Sequence, residues 1–364
     1  MVTSQAIARA RNVFNTARHA RADLREQYDA ILRNCKVGAP VTAEEYLSRS
    51  WEKNKPVRNF ILCSHDEARR ILNVSTPHLP MVIPPEPHTK HHRLSMAQYL
   101  LYLRTTPEID IHDFNQDRSD SHFDIPKRMG SAAAIDLFED TSKGPVNLLN
   151  LGRYKQNPVP PCLSNLAPYQ VLELVKEKLE SGKKSHIQLS DLSECTAFQI
   201  CGKRGVFSLP HIDHLGVLTT VFNDEGEKLW LCWPGVDPRQ WATSGRSPSK
   251  PSCALYLYPG CTLIQPPGTI HAPFSMTNVL MTGTMHWDSR NLLQVMELSK
   301  LSTEFGHITN EGLPREFLQK ARLIEKLWRR GDPTWPWPPH GQLETYVQIL
   351  EVSRLVSVMF RFTL

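Results

Sequence analysis

In the first half of the chain, several segments have apolar residues at helical spacing. Apolar or small residues recur in this way from residue 3 to residue 35, which predicts one long N-terminal helix. Shorter helices are predicted over 42–50 and 64–72, and Ser64 and Glu67 form a capping box at the start of the second. Two further helices are predicted over 94–103 and 168–181, the latter closed by Gly182.

Between residues 197 and 287 the pattern changes to short apolar runs separated by Gly and Pro turns. Strands are predicted over 197–202, 206–213, 253–258, 262–265 and 278–287. Residues 217–222 and 227–233 are predicted to pair as a hairpin across the loop Asn223-Asp-Glu-Gly226. Polar stretches at 110–128 and 236–251 are predicted as loops. Many short strands favour a barrel or sandwich over alternating βαβ units.

Helical spacing returns after residue 292. A helix is predicted over 314–330, whereas 332–339 contains too many prolines for a helix or a central strand. The last predicted helix, 342–362, has an apolar face that must pack either on the β core or on a second copy of the chain, which would make a homodimer. The predicted organisation is a helical region 1–76, a β domain 77–291 and a helical region 292–364.

Charge and cysteine content limit the classes of function. The net charge of +5 permits an acidic partner, but no long Lys/Arg run, zinc-finger spacing or aromatic RNA-binding signature predicts nucleic-acid binding. Eight cysteines occur without a C-x-x-C motif, which argues against a zinc ribbon. With no secretory signal and no apolar run near about 18 residues, we expect a soluble intracellular protein, nuclear or cytoplasmic, with reduced thiols and no membrane contact.

The predicted N-terminal helix is basic. It carries six arginines against three acidic residues. This pattern is typical of a solvated helix face; a partner-binding arm and a mitochondrial transit peptide are the other interpretations.

The segment from Gly205 to Trp233 carries the candidate chemistry. His211 and Asp213 form an H-x-D pair, and in an extended strand residues i and i+2 point to the same face. An imidazole and a carboxylate together suit Fe(II), Mn(II) or Zn(II). The best candidate for a third ligand is His271, which follows a Pro-Pro-Gly turn. Two histidines and one carboxylate leave about three positions open, as in non-heme iron oxygenases.

Lys228 lies in an otherwise apolar strand, where it shares one face with Trp230 and Cys232. A buried ammonium is costly unless it meets an anion. A small dicarboxylate between Lys228 and the metal would supply that anion.

Other histidines nearby have different interpretations. His214 is predicted to fall on the opposite strand face and to be structural. The proline-rich segment 77–93 contains a further set, for which a second metal site is the alternative to solvated loop residues: His78, His88, His91 and His92.

These motifs resemble the JmjC family of Fe(II)- and 2-oxoglutarate-dependent oxygenases. The resemblance rests on the H-x-D, the G-x-K-x-W strand, the P-P-G-x-x-H segment, and the segments Leu79-Pro-Met-Val-Ile-Pro and Pro145-Val-Asn-Leu-Leu-Asn-Leu151. It covers roughly residues 77–291. It implies a mainly β fold with helical additions, in which a double-stranded β-helix (jelly-roll or cupin) core is flanked by N- and C-terminal helices.

The resemblance also implies a site. His211, Asp213 and His271 would bind Fe(II), and Lys228 would bind the distal carboxylate of 2-oxoglutarate with help from the hydroxyl of Thr220 or Thr219. The expected enzyme is a dioxygenase that uses O2 to hydroxylate a protein or peptide side chain or to demethylate N-methyl lysine. A small-molecule oxygenase, a metal-binding cupin without 2-oxoglutarate and an inactive interaction module remain alternatives.

Overall fold

The computed structural model describes residues 4–53, 59–87, 93–116, 126–152, 154, 159–181, 197–245, 247–309, 317–333 and 335–351. A ten-stranded sheet and a four-stranded sheet lie among numerous helices. The fold is therefore mixed α and β rather than mainly β as expected.

Strand and helix bounds define the architecture. The strands are β1 Lys36–Val37, β2 Pro40–Thr42, β3 Phe60–Leu62, β4 Met81–Ile83, β5 Glu108–Asp113, β6 Lys127–Gly130, β7 Val146–Gly152, β8 Ala197–Gly202, β9 Leu218–Glu225, β10 Lys228–Cys232, β11 Cys253–Leu257, β12 Thr262–Gln265, β13 His271–Ser275 and β14 Val279–His286. The helices are α1 Ser4–Thr16, α2 Ala22–Asn34, α3 Ala43–Leu47, α4 His65–Val74, α5 Met96–Leu103, α6 Ser131–Glu139, α7 Val171–Ser181, α8 Pro238–Ser244, α9 Leu292–Glu304 and α10 Phe317–Arg329. Residues 343–351 are also helical.

The two sheets pack face to face. The large sheet has the order β2-β3-β4-β12-β9-β14-β8-β7-β5-β6, and the small sheet has the order β1-β11-β10-β13. A buried apolar cluster joins them, with Val221, Leu263 and Met281 from the large sheet against Trp230 and Leu255 from the small one. The faces that meet in this cluster are called the inner faces of the sheets.

The chain changes sheets repeatedly, which makes the predicted hairpin wrong. β9 pairs with β12 and β14 in the large sheet, whereas β10 pairs with β11 and β13 in the small sheet. Gly226, with φ of +88°, makes the turn between them, and a Cβ there would lie 2.0 Å from the carbonyl oxygen of Asn278. Only glycine fits this crossover, and the same Gly-containing loop is also typical of a hairpin, so the sequence pattern does not separate the two.

The predicted single N-terminal helix is wrong as well. α1 and α2 form an antiparallel pair in which Arg11 donates to the carbonyls of Leu32 and Arg33, and Arg25 donates to those of Asn15 and Ala17. These bonds satisfy carbonyls at the C-terminal end of each helix. The pair covers the outer face of the small sheet, where the buried Tyr28 hydroxyl donates to the Ala272 carbonyl at 2.9 Å.

Five of the six N-terminal arginines bond to the chain itself. In addition to Arg11 and Arg25, the partners are Glu227 for Arg9, Asp23 for Arg21 and Asp29 for Arg33. Of these contacts, those of Arg11 and Arg25 join the two helices, that of Arg9 joins α1 to Glu227, and those of Arg21 and Arg33 are local to α2.

Several local predictions are confirmed and others need correction. The helix 64–72 with its Ser64–Glu67 capping box, the helix 94–103 and the strands 197–202 and 262–265 are confirmed. The predicted loop 110–128 contains most of β5 and the start of β6, joined by an ion pair of Asp110 with Arg128, and the predicted loop 236–251 contains α8. Residues 206–213 make only two isolated bridges, Phe207 with Phe274 and His211 with His271.

The C-terminal region packs on its own chain as far as it is described. Leu343, Tyr346 and Leu350 are buried against α7 and α10, and the Tyr346 hydroxyl donates to the Ala321 carbonyl at 2.9 Å. Residues 352–362 of the last predicted helix, like Gly182, lie outside the described residues. Pairing of two chains and the bounds 1–76, 77–291 and 292–364 stay predictions. Among the described helices, none combines the length and apolarity needed to cross a membrane.

Candidate metal centre

The backbone brings His211, Asp213 and His271 together at one end of the two sheets. His271 is the first residue of β13, and its backbone exchanges two hydrogen bonds with that of His211, at 2.9 and 3.0 Å. One ligand atom from each of the three residues lies within 4.8 Å of the others. His211 is 8% exposed and His271 is 2% exposed, so this is a largely buried group that can hold a metal ion.

Both imidazoles are oriented for metal binding. The Nδ1 of His211 lies 2.8 Å from the Leu209 carbonyl, and the Nδ1 of His271 lies 3.0 Å from the Thr269 carbonyl. A carbonyl can only accept, so these contacts favour the tautomer in which Nδ1 carries the proton and Nε2 keeps its lone pair. The Nδ1 of His271 also lies 3.2 Å from the Gln265 side-chain nitrogen. The Nε2 of His271 lies 3.6 Å from the Asp213 Oδ1. Histidines in metal sites are commonly held by such bonds.

Asp213 has one oxygen bonded to the protein. Its Oδ2 accepts from the Thr219 hydroxyl at 2.5 Å and from the Gln265 side-chain amide at 2.9 Å. Its Oδ1 is the oxygen that faces His271. The role of Gln265 was missed in the sequence, where it reads as the last residue of a strand before Pro266; the only signal was a polar residue ending an apolar run.

Trp230 packs between the metal group and Lys228 on the inner face of the small sheet. Its indole is stacked on the His271 imidazole, with ring centroids 5.2 Å apart, and the Lys228 ammonium lies 5.9 Å from its ring centroid. Lys228 is 4% exposed, and burial lowers its pKa to about 8. In the described chain no carboxylate lies within ion-pair distance of this ammonium.

A small polar cradle lies beside Lys228. Ser275 is the cross-strand partner of Lys228, and Asn147 on β7 is the partner of Gly202 on β8. A Cβ on Gly202 would lie 3.1 Å from the Ser275 Oγ and 3.2 Å from the Asn147 Oδ1. Both of these oxygens are buried and make no hydrogen bond in the described structure. The Ser275 hydroxyl and the Lys228 ammonium are donors for which the described chain shows no acceptor, and they fit an anion once Asn147 turns its NH2 group rather than Oδ1 toward it.

The two candidate threonines face opposite sides of β9, since neighbouring strand residues alternate. Thr219 faces inward and bonds to Asp213, whereas Thr220 faces outward and bonds to the Thr284 hydroxyl at 2.6 Å. Thr284 in turn lies 2.8 Å from His286, and burial lowers the pKa of that imidazole to about 4. Thr220 therefore does not face the metal group, and Ser275, which the sequence reading missed, is the hydroxyl beside Lys228.

The segment after Asp213 is held in a strained conformation. Leu215 has φ of +59°, which is unfavourable for a branched side chain, and its carbonyl accepts from the Trp287 indole at 3.0 Å. A Cβ on Gly216 would lie 2.8 Å from the Val295 Cα, so α9 packs directly on this turn. His214 is buried in the same turn and lies outside the metal-binding group, in agreement with a structural role.

A cavity of about 250 Å³ opens at the same end of the sheets. It is lined in part by Trp233 and Pro266, which directly follow β10 and β12, and by Thr269, whose carbonyl orients His271. Asn291 and His78 also line it, whereas His88, His91 and His92 lie outside the described residues. Neither the protein-family models nor the curated proteins that were compared with this chain match it.

Proposed function

We propose that the protein is an Fe(II)- and 2-oxoglutarate-dependent dioxygenase of JmjC type. The observation that carries the proposal is the inner face of the small sheet. It presents His271 of the metal-binding group, then Trp230, and then a buried lysine for which the described chain shows no carboxylate partner. A metal-only site gives no reason to bury an ammonium there at the cost that its lowered pKa indicates.

The path of the chain supports a double-stranded β-helix as the core. From residue 197 the chain runs through β8 in the large sheet, then through the 206–212 segment, which is bridged to β13, and then through β9 in the large sheet. It continues through β10 and β11 in the small sheet and β12 in the large sheet. It ends with β13 in the small sheet and β14 in the large sheet. Such alternation winds the chain around one apolar interior, with ligands at one open end.

The residues fit the two groups that this function needs. His211 Nε2, His271 Nε2 and Asp213 Oδ1 would hold Fe(II), which with 2-oxoglutarate and O2 would supply the oxidising chemistry. Lys228 and Ser275 would bind the distal carboxylate of 2-oxoglutarate, because both offer donors and neither has another acceptor in the described chain.

The protein contributes orientation and exclusion of water. The bonds from Nδ1 to the carbonyls of Leu209 and Thr269 keep both lone pairs directed at the metal position. Trp230 fills the space beside His271, and the strained turn at Leu215 fixes the chain that leaves Asp213. Such a dry and rigid pocket strengthens the electrostatic contact of Lys228 with its anion.

The substrate class is a protein or peptide side chain, which would be hydroxylated, or an N-methyl lysine, which would be demethylated. The cavity at the same end of the sheets supports a substrate segment without charge, because its described lining consists of apolar, hydroxyl, amide and imidazole side chains, with Trp233, Pro266 and Asn291 among them. This chemistry favours hydroxylation of a neutral side chain.

The proposal is tested by adding 2-oxoglutarate to the Fe(II)-loaded protein without oxygen and following the metal-to-ligand charge-transfer absorbance. We expect the band to appear, and succinate to be released once O2 is admitted. Metal binding without the band would indicate a cupin that does not use 2-oxoglutarate. No metal binding would indicate an interaction module. Mass spectrometry of candidate proteins for a gained oxygen or a lost methylene then separates hydroxylation from demethylation.

A further inference from the structure

We infer that Gln265 and Thr219 hold Asp213 in a one-oxygen binding mode, and that Trp230 keeps the Gln265 amide in the orientation that this requires. The inference rests on the proposed metal function and goes beyond it. It assigns to three residues outside the ligand set the control of how many metal positions stay open.

Two hydrogen bonds hold one oxygen of Asp213. Gln265 and Thr219 are cross-strand partners on β12 and β9, so their side chains lie next to each other on the inner face of the large sheet. Both donate to the same oxygen, Oδ2, at 2.9 and 2.5 Å. A carboxylate oxygen that already accepts two hydrogen bonds would have to lose at least one of them to bind a metal. Oδ1 is left as the single ligand oxygen.

Trp230 fixes the orientation of the Gln265 amide. Its indole Nε1 donates to the Gln265 Oε1 at 2.9 Å, and an indole nitrogen is a donor only. The atom of Gln265 that faces Trp230 must therefore be the carbonyl oxygen, and the atom that faces Asp213 must be the NH2 group. If the amide were flipped, its NH2 group would face the indole N–H of Trp230, and its Oε1 would face the Oδ2 of Asp213. Both contacts would be repulsive.

The consequence concerns coordination. Two imidazoles and one carboxylate oxygen leave about three positions of a six-coordinate ion for other ligands. If Asp213 used both oxygens, one of these positions would be lost. Gln265 and Thr219 thus act as positioning residues that reach the metal through Asp213. Gln265 also lies beside a second proposed ligand, because its side-chain nitrogen is 3.2 Å from the His271 Nδ1.

The test uses the full chain and Co(II), whose d–d absorbance reports both affinity and coordination number. Gln265→Leu and Thr219→Val each remove one bond to Oδ2, and we expect each to weaken Co(II) binding by about 10- to 100-fold and to change the d–d spectrum. Trp230→Phe keeps a ring beside His271 but removes the donor, and we expect a spectral change in the same direction as in Gln265→Leu. Thr219→Ser keeps the hydroxyl and should bind Co(II) with the affinity of the wild type.

Two controls separate positioning from a loss of fold. Thr220→Val removes a hydroxyl from the opposite face of the same strand and should leave the Co(II) spectrum unchanged. The double variant Gln265→Leu/Thr219→Val should bind Co(II) more weakly than either single variant. Because both bonds end on one oxygen, its fold-loss in affinity should differ from the product of the two single fold-losses.

The outcomes are distinct. Wild-type affinity and spectrum in Gln265→Leu and Thr219→Val would overturn the inference and leave the proposed function standing. If Gln265→Leu fails to fold, comparison of Thr219→Val with Thr219→Ser decides in its place. Failure of the wild type to bind Co(II), Mn(II) or Fe(II) would overturn the proposed function and this inference with it.

Discussion

The indole of Trp230 lies parallel to the imidazole of His271, at an interplanar angle of 5° and a centroid distance of 5.2 Å. The same indole donates to Gln265, and the Lys228 ammonium lies 5.9 Å from its ring centroid. One aromatic side chain therefore touches a candidate metal ligand, the residue that orients Asp213 and the buried cation. The metal group and the candidate anion position are parts of one continuous surface.

Removal of the carboxylate ligand should abolish metal binding. Asp213→Ala leaves two neutral imidazoles facing a dication, so we expect no Fe(II) or Mn(II) binding at micromolar concentrations. Equilibrium dialysis with metal analysis measures this. Asp237→Ala is the control, since Asp237 is exposed and its side chain caps the start of α8. Iron affinity within about twofold of wild type in Asp213→Ala would mean that the site lies elsewhere.

Loss of the buried ammonium should weaken the binding of 2-oxoglutarate and leave the binding of the metal unchanged. Removing one partner of a charge-assisted contact in a dry pocket costs roughly 2–5 kcal/mol, and each 1.4 kcal/mol is about a factor of ten. Lys228→Met should therefore weaken 2-oxoglutarate by about 30-fold or more. Anaerobic titration of the Fe(II)-loaded protein compares the two forms. Equal affinities would remove Lys228 from the cofactor site.

Filling the polar cradle should have a similar effect without changing a charge. In Gly202→Ala the new methyl group would lie 3.1 Å from Ser275 Oγ and 3.2 Å from Asn147 Oδ1, in the space assigned to the carboxylate. We expect weaker 2-oxoglutarate binding with unchanged Fe(II) affinity. Gly130→Ala is a matched control, since no atom lies within 4 Å of a Cβ built there. Equal 2-oxoglutarate affinity in both variants and the wild type would place the carboxylate elsewhere.

The sequence predicted much of this site because strand alternation and turn chemistry are local. His211, Asp213, His271 and Lys228 could be selected in this way, and the structure brings the first three together. Gln265 and Ser275 could not be selected, since their importance arises from pairing between strands distant in the chain, β12 with β9 and β13 with β10. The choice between Thr219 and Thr220 required the strand register.

The fold was less predictable than the site. Local spacing located most of the strands after residue 197, but the crossover at Gly226 and the break between α1 and α2 depend on tertiary contacts. The N-terminal strands β1 to β3 are only two or three residues long, too short to carry a periodic signal. They are stabilised by pairing with neighbours that are themselves distant in sequence.

The bond between α2 and the strand that carries His271 should contribute to stability. Tyr28→Phe removes the buried hydroxyl that donates to the Ala272 carbonyl at 2.9 Å and leaves the aromatic stacking on Phe207 in place. We expect a loss of about 1 kcal/mol in the free energy of unfolding, measured by chemical denaturation. Tyr256→Phe is the control on the same sheet, because its hydroxyl bond to Glu227 is partly exposed. An unchanged free energy of unfolding in Tyr28→Phe would argue against this role of α2.

Because of Lys228, the free energy of unfolding and the affinity for 2-oxoglutarate should depend on pH in opposite directions. Burial lowers its pKa to about 8 from an ordinary value of 10.5. Below pH 8 the lysine is charged in both the folded and the unfolded state, so the folded protein without ligand bears the full cost of the buried charge. Between about pH 8 and 10.5 the unfolded state binds more protons than the folded state, and the free energy of unfolding therefore rises with pH.

Binding of 2-oxoglutarate follows the opposite direction, because its carboxylate needs the ammonium form. The affinity of the wild type should fall as the pH rises above 8, while that of Lys228→Met should stay weak and nearly constant over the same range. The variant should also be more stable than the wild type at neutral pH, by at most roughly 3 kcal/mol, and the difference should shrink toward pH 10.5. Chemical denaturation without ligand and calorimetric titration of 2-oxoglutarate, each at several pH values, measure the two dependences. Because all other titrating groups are shared, a constant stability difference between the two forms would show that the lysine does not lose its proton in the folded protein in this range.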